Sequence, residues 1–207
     1  MKYIRFNRNT KAEYNLIFIY EDKLPSLNKS VLNDTVLEDV KLAISNKLVT
    51  GACGSMNTFS SKMYEKNYFL VGLGKKSKLT IQAYEKNLNS ALKKINGYNI
   101  NSISVDLNNI SIKGYDHIKG GIIEIEKTQY SYKQKNSSSL KECLINVSSK
   151  VSNKHLSNTI DISVAIANGL NKARMLGDTP PNICNPTFLA QKAKELEKSV
   201  SYTHLTL

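Results

Sequence analysis

The chain has 207 residues, of which 41% are hydrophobic, and its 29 Lys and Arg outnumber 17 Asp and Glu to give a net charge of +12. This composition is typical of a soluble globular protein and excludes an intrinsically disordered one. No run approaches the ~18 consecutive apolar residues of a membrane span, and the opening MKYIRFNRNTK lacks the apolar stretch of a secretory signal. No membrane partner is therefore expected.

The first part of the chain predicts two strands, a helix and a loop. Lys2 to Phe6 alternates weakly, as a strand does, and Tyr14 to Tyr20 (YNLIFIY) is a short apolar run typical of a buried strand. From Asp34 a capping residue followed by apolar residues at helical spacing predicts a helix. The stretch from 51 to 61 (GACGSMNTFSS) is rich in glycine and serine and predicts a loop.

The middle of the chain continues with strand, helix and strand. Tyr68 to Leu73 predicts a second buried strand, Thr80 to Ile95 carries its apolar residues on one helical face, and Asn101 to Leu107 alternates. This order predicts a parallel sheet with helices on its faces, and therefore an α/β fold. The expected core contains eight apolar residues: Leu16, Phe18, Phe69, Val71, Leu88, Leu92, Ile103 and Val105.

The later part is less uniform. Gly114 to Lys127 fits either an alternating strand or a helix, and Leu140 to Val147 predicts a strand. Apolar residues at helical spacing, among them Ile160, Val164, Ala167, Leu170 and Ala173, then predict a long helix.

That long helix is predicted from Asn158 to Leu176, with a break at Gly177, and the loop GDTPPNICN follows it. Asn185 is placed to cap a last helix, Pro186 to Lys198. The last helix has an apolar stripe that must be covered by something, formed by Phe188, Leu189, Ala193 and Leu196.

The three cysteines, Cys53, Cys143 and Cys184, are far apart and form no Cys-x-x-Cys pair. An odd number of scattered cysteines argues against a disulfide framework and against a zinc site. Unpaired cysteines are typical of a reducing compartment, so the sequence predicts a cytoplasmic location.

The positive charge raises a nucleic-acid hypothesis. The most basic segment, Lys127 to Lys154, has six Lys and one acidic residue, and its TQYSYKQK interleaves tyrosines with lysines as base-stacking segments do. An exposed edge strand, whose lysines discourage edge-to-edge pairing, is the favoured interpretation of TQYSYKQK. Elsewhere the lysines are spread over a chain rich in Asn, Ile and Ser, and such a solvated surface needs no partner.

One turn resembles a phosphate site. Gly72 to Lys76 (GLGKK) follows a predicted strand, as a phosphate-binding turn does. It lacks the third glycine of the dinucleotide fingerprint and the spacing of a P-loop, so a strand-ending turn with unusual backbone angles is favoured. His117, His155 and His204 have no close ligand partner and are expected at the surface. No catalytic, cofactor-binding or metal-binding residue is therefore predicted in this chain.

The segment from Ile166 to Leu196 (IANGLNKARMLGDTPPNICNPTFLAQKAKEL) resembles the leucyl (cytosol) aminopeptidase family. There, a helix ending in Ala-Arg-Asp-Leu leads into an Asn-x-Pro-x-Asn loop, a Thr-Pro or Asn-Pro helix start and a Leu-Ala pair. Met175 replaces the usual Asp, and Asp178 stands where Asn is common. The matching residues are Ala173, Arg174, Leu176, Pro180, Pro181, Asn182, Asn185, Pro186, Leu189 and Ala190.

Upstream the resemblance is looser. FLVGLGKK is similar to the family's strand and Val-Gly-Leu-Gly turn. GGIIEIEKTQYSYKQK is similar to its Glu-Gly…Tyr-x-Phe…Tyr-Lys stretch, which favours a helix for Gly120 to Lys127.

The resemblance implies three parts. Residues 1–150 are expected to form a three-layer, macro-domain-like α/β domain with a mixed, mainly parallel sheet. Residues 151–180 then form a linker helix and loop. Residues 181–207 comprise the first helix of a truncated catalytic domain and an atypical, poorly fixed tail from Ser199.

The resemblance also implies a function for the parent protein. Members hold two divalent metal ions, Mn or Zn, through Lys, Asp and Glu of the catalytic domain. They remove N-terminal amino acids from peptide substrates as cytoplasmic homohexamers. The Asp-Ser-Gly-Gly and Asn-Thr-Asp-Ala-Glu-Gly-Arg strings that carry the metal ligands do not occur in this chain. The chain is therefore expected to position the catalytic domain and to take part in oligomerisation. It is expected to bind no metal itself and to be inactive alone.

Two other functions stay open at this point. One is a free-standing macro-like domain that binds a nucleotide-type ligand through Gly72–Gly74. The other is a basic DNA-binding module, which could coexist with the first because some bacterial members of the family bind DNA. The linker string PPNICNPTFLA favours the aminopeptidase fragment over a lone macro domain, which has no need for it.

Overall fold

The fold is known from a computed structural model. It describes residues 2–5, 12, 14–22, 34–61, 66–98, 100–108, 110–132, 140–147 and 150–200.

The described residues form one six-stranded sheet and five α-helices. The strands are β1 (Lys2–Arg5), β2 (Tyr14–Ile19), β3 (Met56–Ser61), β4 (Lys66–Gly72), β5 (Ser102–Asp106) and β6 (Glu142–Asn146). The helices are α1 (Asp34–Ser45), α2 (Ile81–Ile95), α3 (His117–Lys127), α4 (Asn153–Asp178) and α5 (Pro186–Val200). Short 3-10 turns at Lys76–Lys78 and Asn96–Tyr98 precede and follow α2.

The sheet is mixed and mainly parallel, as predicted. Its order is β1-β6-β5-β2-β4-β3, and each neighbouring pair is parallel except β3 with β4. Parallel strands need crossover connections, which the intervening helices supply. The chain leaves β4 through α2 and enters β5 on the other side of β2, so the direction of sheet growth reverses between β2 and β5.

Both faces of the sheet are covered, which gives three layers. Leu16 and Phe18 of β2 point to the face on which α2 and α3 pack. Ile17 and Ile19 point to the opposite face, where Val40 of α1 packs. The central strands are apolar at successive positions because a parallel strand between two helical layers is buried on both sides.

The predicted core is confirmed. Each of its eight apolar residues is at most 1% exposed. Helix α2 contributes Tyr84, Leu88, Leu92 and Ile95 to the same core, and its N-terminus is capped by the Thr80 hydroxyl, which accepts from the Ala83 N–H. Hydrophobic patterning thus located the central strands of the sheet and the helix that packs on them.

The loop predicted from 51 to 61 is wrong in its second half. Met56–Ser61 is strand β3, paired antiparallel with β4 so that Thr58 faces Phe69. The polar composition of β3 gave no strand signal in the sequence, because an edge strand pairs on one side only and needs no continuous apolar run.

The region from Gly114 to Lys127, ambiguous from periodicity, is helical from His117, in agreement with the family resemblance. Asp116 caps α3 by accepting from the N–H groups of Ile118 and Lys119. The edge strand predicted for TQYSYKQK is wrong for its first residues, because Thr128 to Tyr132 form a turn and irregular chain, while residues 133–139 lie outside the described residues.

The long helix α4 is longer than predicted at both ends. It begins at Asn153, where the Ser152 hydroxyl accepts from the His155 N–H, and it continues through Gly177 to Asp178. The predicted break at Gly177 is therefore wrong, because one glycine costs a helix only about 1 kcal/mol and does not end it. The helix stops before Pro180, as expected of the residues preceding a proline.

The final helix is confirmed, with Asn185 as its cap: its Oδ1 accepts from the Phe188 N–H at 3.0 Å. Ser199 and Val200 still belong to α5, and residues 201–207 of the predicted tail lie outside the described residues. Within the described part of the chain, no helix combines the length and apolarity needed to span a bilayer.

Candidate functional site

The glycine turn at the carboxyl end of β4 is closed by the protein's own backbone. The N–H groups of Gly72, Leu73 and Gly74 donate to the carbonyls of Ser55, Ile19 and Gly51, at 2.8, 2.9 and 2.8 Å. A phosphate-binding turn needs N–H groups that point to the ligand. These three N–H groups are already engaged, so the geometry disfavours a phosphate here.

The flanking charges agree with this. The Lys76 N–H donates to the Asp22 carboxylate at 2.9 Å, and the Lys76 ammonium lies over the Tyr20 ring. An acidic side chain at the mouth of the turn repels an anion. The nucleotide-binding alternative thus loses the backbone donors on which it depended.

The two glycines of this turn are required for different reasons. Gly74 has φ +75°, a left-handed conformation that glycine adopts without strain, which confirms the expected unusual backbone angle. At Gly72 a Cβ would lie 2.2 Å from both the Ala52 carbonyl oxygen and the Ser55 Oγ. The end of β4 therefore packs closely against the segment before β3.

Asn87 of α2 stabilises this close contact. Its Nδ2 lies 3.3 Å from the Gly72 carbonyl oxygen and 3.2 Å from the sulfur of Cys53, and the Asn87 side chain is buried. Cys53 itself is exposed. Sequence reasoning missed this contact, because the two residues are far apart in the chain and share no motif. The arrangement is a hydrogen-bonded turn next to the exposed thiol of Cys53.

The reversal point between β2 and β5 is where open α/β sheets bind ligands. Among the buried polar residues of these strands, Asp106 lies at the carboxyl end of β5 and is 3% exposed. The Asp106 Oδ1 accepts from the Asn108 N–H at 3.1 Å and from the Asn146 Nδ2 at 3.0 Å. Burial raises the pKa of Asp106, against the opposing effect of these hydrogen bonds. The carboxyl group thus ties β5 to β6.

The two histidines that the structure describes, His117 and His155, belong to no metal-binding group. His155 is exposed, as predicted, and His204 lies outside the described residues. His117 is partly buried at the start of α3, and burial lowers its pKa despite the neighbouring Asp116. The surface placement predicted for His117 is therefore only partly right. Over the residues that the structure describes, no group of three or more His, Cys, Asp or Glu could hold a metal ion.

The carboxylates between α2 and α3 have partners as well. The buried Glu124 accepts from the Asn89 Nδ2 at 2.9 Å and forms an ion pair with Lys127. The Tyr115 hydroxyl donates to Glu85 at 2.7 Å. These contacts join α2 to α3 and to the segment before it, and they give both carboxylates a structural partner.

The segment that carries the family resemblance is hydrogen-bonded to the sheet domain where the chain leaves it. The Tyr130 hydroxyl donates to Asp178 at 2.8 Å, and Arg174 Nη1 donates to the Lys127 carbonyl at 3.3 Å. Both contacts join the end of α3 to the end of α4. Asp178, which departs from the family pattern, thus has a definite partner here.

The loop after α4 is closed by its own backbone. The N–H groups of Ile183 and Cys184 donate to the Pro180 carbonyl at 2.9 and 2.8 Å, and the Asn185 N–H donates to the Ile183 carbonyl. Two consecutive prolines further restrict the chain. The loop therefore sets a defined direction between α4 and α5.

The described residues thus form an α/β sheet domain followed by two helices that a loop with two prolines joins. The chain matches the sequence model described as "Cytosol aminopeptidase family, N-terminal domain" over residues 16–139. The chain therefore belongs to the cytosol aminopeptidase family.

Relatives and solved structures agree. The chain is 34% identical over 150 residues to a "Probable cytosol aminopeptidase" of Buchnera aphidicola subsp. Schizaphis graminum, covering 68% of this chain and 30% of the relative. A mutant of tomato leucine aminopeptidase has a similar fold, with TM-score 0.74 and 16% identity, over 97% of this chain and 42% of that one.

A further structure with this fold is the bottromycin maturation enzyme BotP in complex with Mn, with TM-score 0.66 and 13% identity, over 92% of this chain and 37% of that one. At such identities the likeness shows the fold alone. The chain spans about a third of the length of the curated relatives it matches.

Proposed function

We propose that this chain is the N-terminal portion of a cytoplasmic two-metal leucyl aminopeptidase, which removes N-terminal amino acids from peptides. The family match over residues 16–139 carries the proposal, because that description names this domain of a cytosol aminopeptidase. The Buchnera relative is named as a probable cytosol aminopeptidase and is much longer than its match to this chain.

In this proposal residues 1–150 form the N-terminal domain, residues 151–180 form the linker and residues 181–207 begin the catalytic domain. The chain's own part is to position the catalytic domain and to contribute to a homo-oligomer, a hexamer by family resemblance. The hydrogen bonds of Tyr130 and Arg174 support this role, because they join the end of α4 to the end of α3 and so fix the direction of α4.

The two divalent ions, Mn or Zn, belong to the following domain in this proposal. When bound, such ions activate a water for attack on the peptide carbonyl. The described residues of this chain do not fit them, because they bring no metal-binding cluster together and their buried carboxylates already have protein partners. Peptide substrates are likewise assigned to the catalytic domain.

The first test is the activity of the purified 207-residue chain on an amino-acid anilide, with added manganese or zinc. We expect no turnover, since a two-metal hydrolase needs ligands that fix both ions and the bridging water. Turnover that survives removal of contaminating peptidases contradicts the proposed inactivity of the fragment.

The second test is the genomic DNA past codon 207. An open frame that encodes Asp-Ser-Gly-Gly and Asn-Thr-Asp-Ala-Glu-Gly-Arg strings supports the fragment. A natural stop codon after residue 207 contradicts it and assigns the domain an independent role.

A further inference from the structure

Helix α4 is attached to the sheet domain in two different ways along its length. The α4 residues that pack in or against the apolar core all lie in its first half: Leu156, Ile160 and Val164. Ala167 is the last buried residue of the helix. Met175 and Leu176, further on, are partly buried but do not pack against the core. Apolar burial in the core therefore holds the first half of α4, and the second half, Asn168 to Asp178, needs another means of attachment.

Hydrogen bonds to the end of α3 provide that attachment. The Asn171 Nδ2 donates to the Glu126 carbonyl at 3.2 Å, and the Arg174 Nη1 donates to the Lys127 carbonyl at 3.3 Å. These are two of the carbonyls that the end of a helix leaves without an intrahelical donor. A cation is also favourable at the carboxyl end of a helix, because the macrodipole is negative there.

A third contact lies at the end of α4. The Asp178 carboxylate accepts from the Tyr130 hydroxyl at 2.8 Å. Asn171, Arg174 and Asp178 are spaced by three and four residues, so they lie on the same side of the helix. Their three contacts with the end of α3 and the residues after it are here called the latch of α4.

Gly169 lies between the two halves of the helix. It follows Ala167, the last buried residue, and precedes Asn171, the first residue of the latch, by two positions each. Outside its own helix backbone, no atom lies within 4 Å of a Cβ built at Gly169, so packing does not require a glycine there. Glycine is the least favourable residue inside a helix apart from proline, and its backbone freedom suits a point of bending.

We propose that the second half of α4 is a hinged arm, which bends at Gly169 and which the latch holds against α3. The contacts of Arg174 and Asp178 lie at exposed side chains, where hydrogen bonds are readily replaced by bonds to water. The first half cannot open in this way without exposing part of the core. When the latch is closed, it sets the direction of the loop 179–185, and release of the latch frees that loop from the sheet domain.

Release of the arm has a measurable consequence. The arm from Leu170 to Asp178 is much shorter than the ~12–15 residues below which an isolated helix is marginal in water. An arm that leaves α3 therefore frays, and its amides exchange with solvent. This property belongs to the 207-residue chain itself, so it can be measured whether or not a further domain follows, and independently of the proposed function.

Hydrogen exchange followed by mass spectrometry tests the latch. Arg174→Met removes the donor groups and keeps an unbranched side chain. Lys172→Met is the matched control, because it removes the same charge from an exposed side chain two residues away. Tyr130→Phe removes the hydroxyl that Asp178 accepts from, without changing the sequence of α4.

In Arg174→Met and in Tyr130→Phe, amides from Leu170 to Asp178 should exchange about three- to tenfold faster than in the wild type, the range for the loss of one net hydrogen bond. Amides from Asn158 to Ala167 should keep their wild-type rates, because the core still holds that half. Lys172→Met should leave both halves unchanged. Wild-type exchange in β2 and β4 verifies that each variant is folded.

Three results overturn the inference. Equal rates in Arg174→Met and Lys172→Met mean that the hydrogen bond of Arg174 does not hold the arm. No acceleration in Tyr130→Phe means that the arm is held without the contact at Asp178. Acceleration that extends equally over Asn158 to Ala167 means that α4 opens as one unit, with no hinge at Gly169.

Discussion

The sheet domain and the two C-terminal helices differ in how completely they are covered. In β2, residues from Asn15 to Ile19 are buried although they point alternately to both faces. In α4 only one face is buried, and in α5 Leu189 and Leu196 are 44% and 43% exposed. The sheet thus completes its own core, whereas the helices carry apolar surface in excess of what the described residues cover. A region built in this way is stable to the extent that something else packs on it.

The largest expected difference between the regions is in hydrogen exchange. In the isolated chain, amides from Asn185 onward should exchange at least about a hundredfold faster than those of β2 and β4, because local opening of α5 exposes little buried surface. Mass spectrometry of timed deuteration measures this ratio. Equal protection of both regions in a monomer contradicts the truncation on which the proposed function depends.

A large-to-small substitution sharpens the comparison in energetic terms. Phe69 is 1% exposed and stacks on Tyr14 with ring centroids 5.2 Å apart. Phe69→Ala should lower the free energy of unfolding by about 3–5 kcal/mol, the range for buried aromatic residues. Leu170→Ala in α4, where Leu170 is 43% exposed, should change it by about 0.5 kcal/mol or less. Urea denaturation of both variants measures the contrast, and a comparable loss at Leu170 contradicts its exposed position.

Glycine-to-alanine substitutions give a smaller effect of opposite sign in the two regions. Gly72→Ala places a Cβ against the Ala52 carbonyl and Ser55 Oγ, and it should destabilise by about 1–3 kcal/mol, as overpacking does. Gly169→Ala meets no atom and should stabilise the short chain by about 0.4–1 kcal/mol. Thermal unfolding of the pair measures both signs. A loss of stability in the Gly169 variant of a monomer would contradict the open space around Gly169.

Hydrophobic patterning predicted most of the sheet domain, because burial on two faces imposes apolar runs. Tyr14–Ile19 and the helix from Ile81 follow from that rule. Strand β3 escaped it because its register is fixed by pairing with β4, not by its own composition. Patterning also did not predict the end of α4, since the helix passes through Gly177. Its contact with Tyr130 forms between distant segments of the chain.

The candidate site was less accessible to sequence reasoning. The backbone N–H groups of the glycine turn donate to carbonyls of Gly51, Ile19 and Ser55, which come from other parts of the chain, so sequence alone could not show that the geometry disfavours a phosphate. The contact of Asn87 with Cys53 is equally a product of the fold. By contrast, the family was accessible, because the string PPNICNPTFLA is read locally and needs no three-dimensional information.

The smallest expected effect concerns Asp106, in the sheet domain. Burial raises its pKa in the folded chain above the unfolded value of about 3.9. The stability linked to this group is therefore fully present below the unfolded pKa and is lost as the pH rises through the folded pKa. Asp106→Asn cannot ionise, and its side-chain oxygen still accepts from Asn108 and Asn146. The wild type should lose stability relative to this variant as the pH rises above about 4 in parallel urea titrations. A difference that is the same at every pH would mean that the Asp106 carboxyl titrates alike in the folded and unfolded chains, which contradicts a pKa raised by burial.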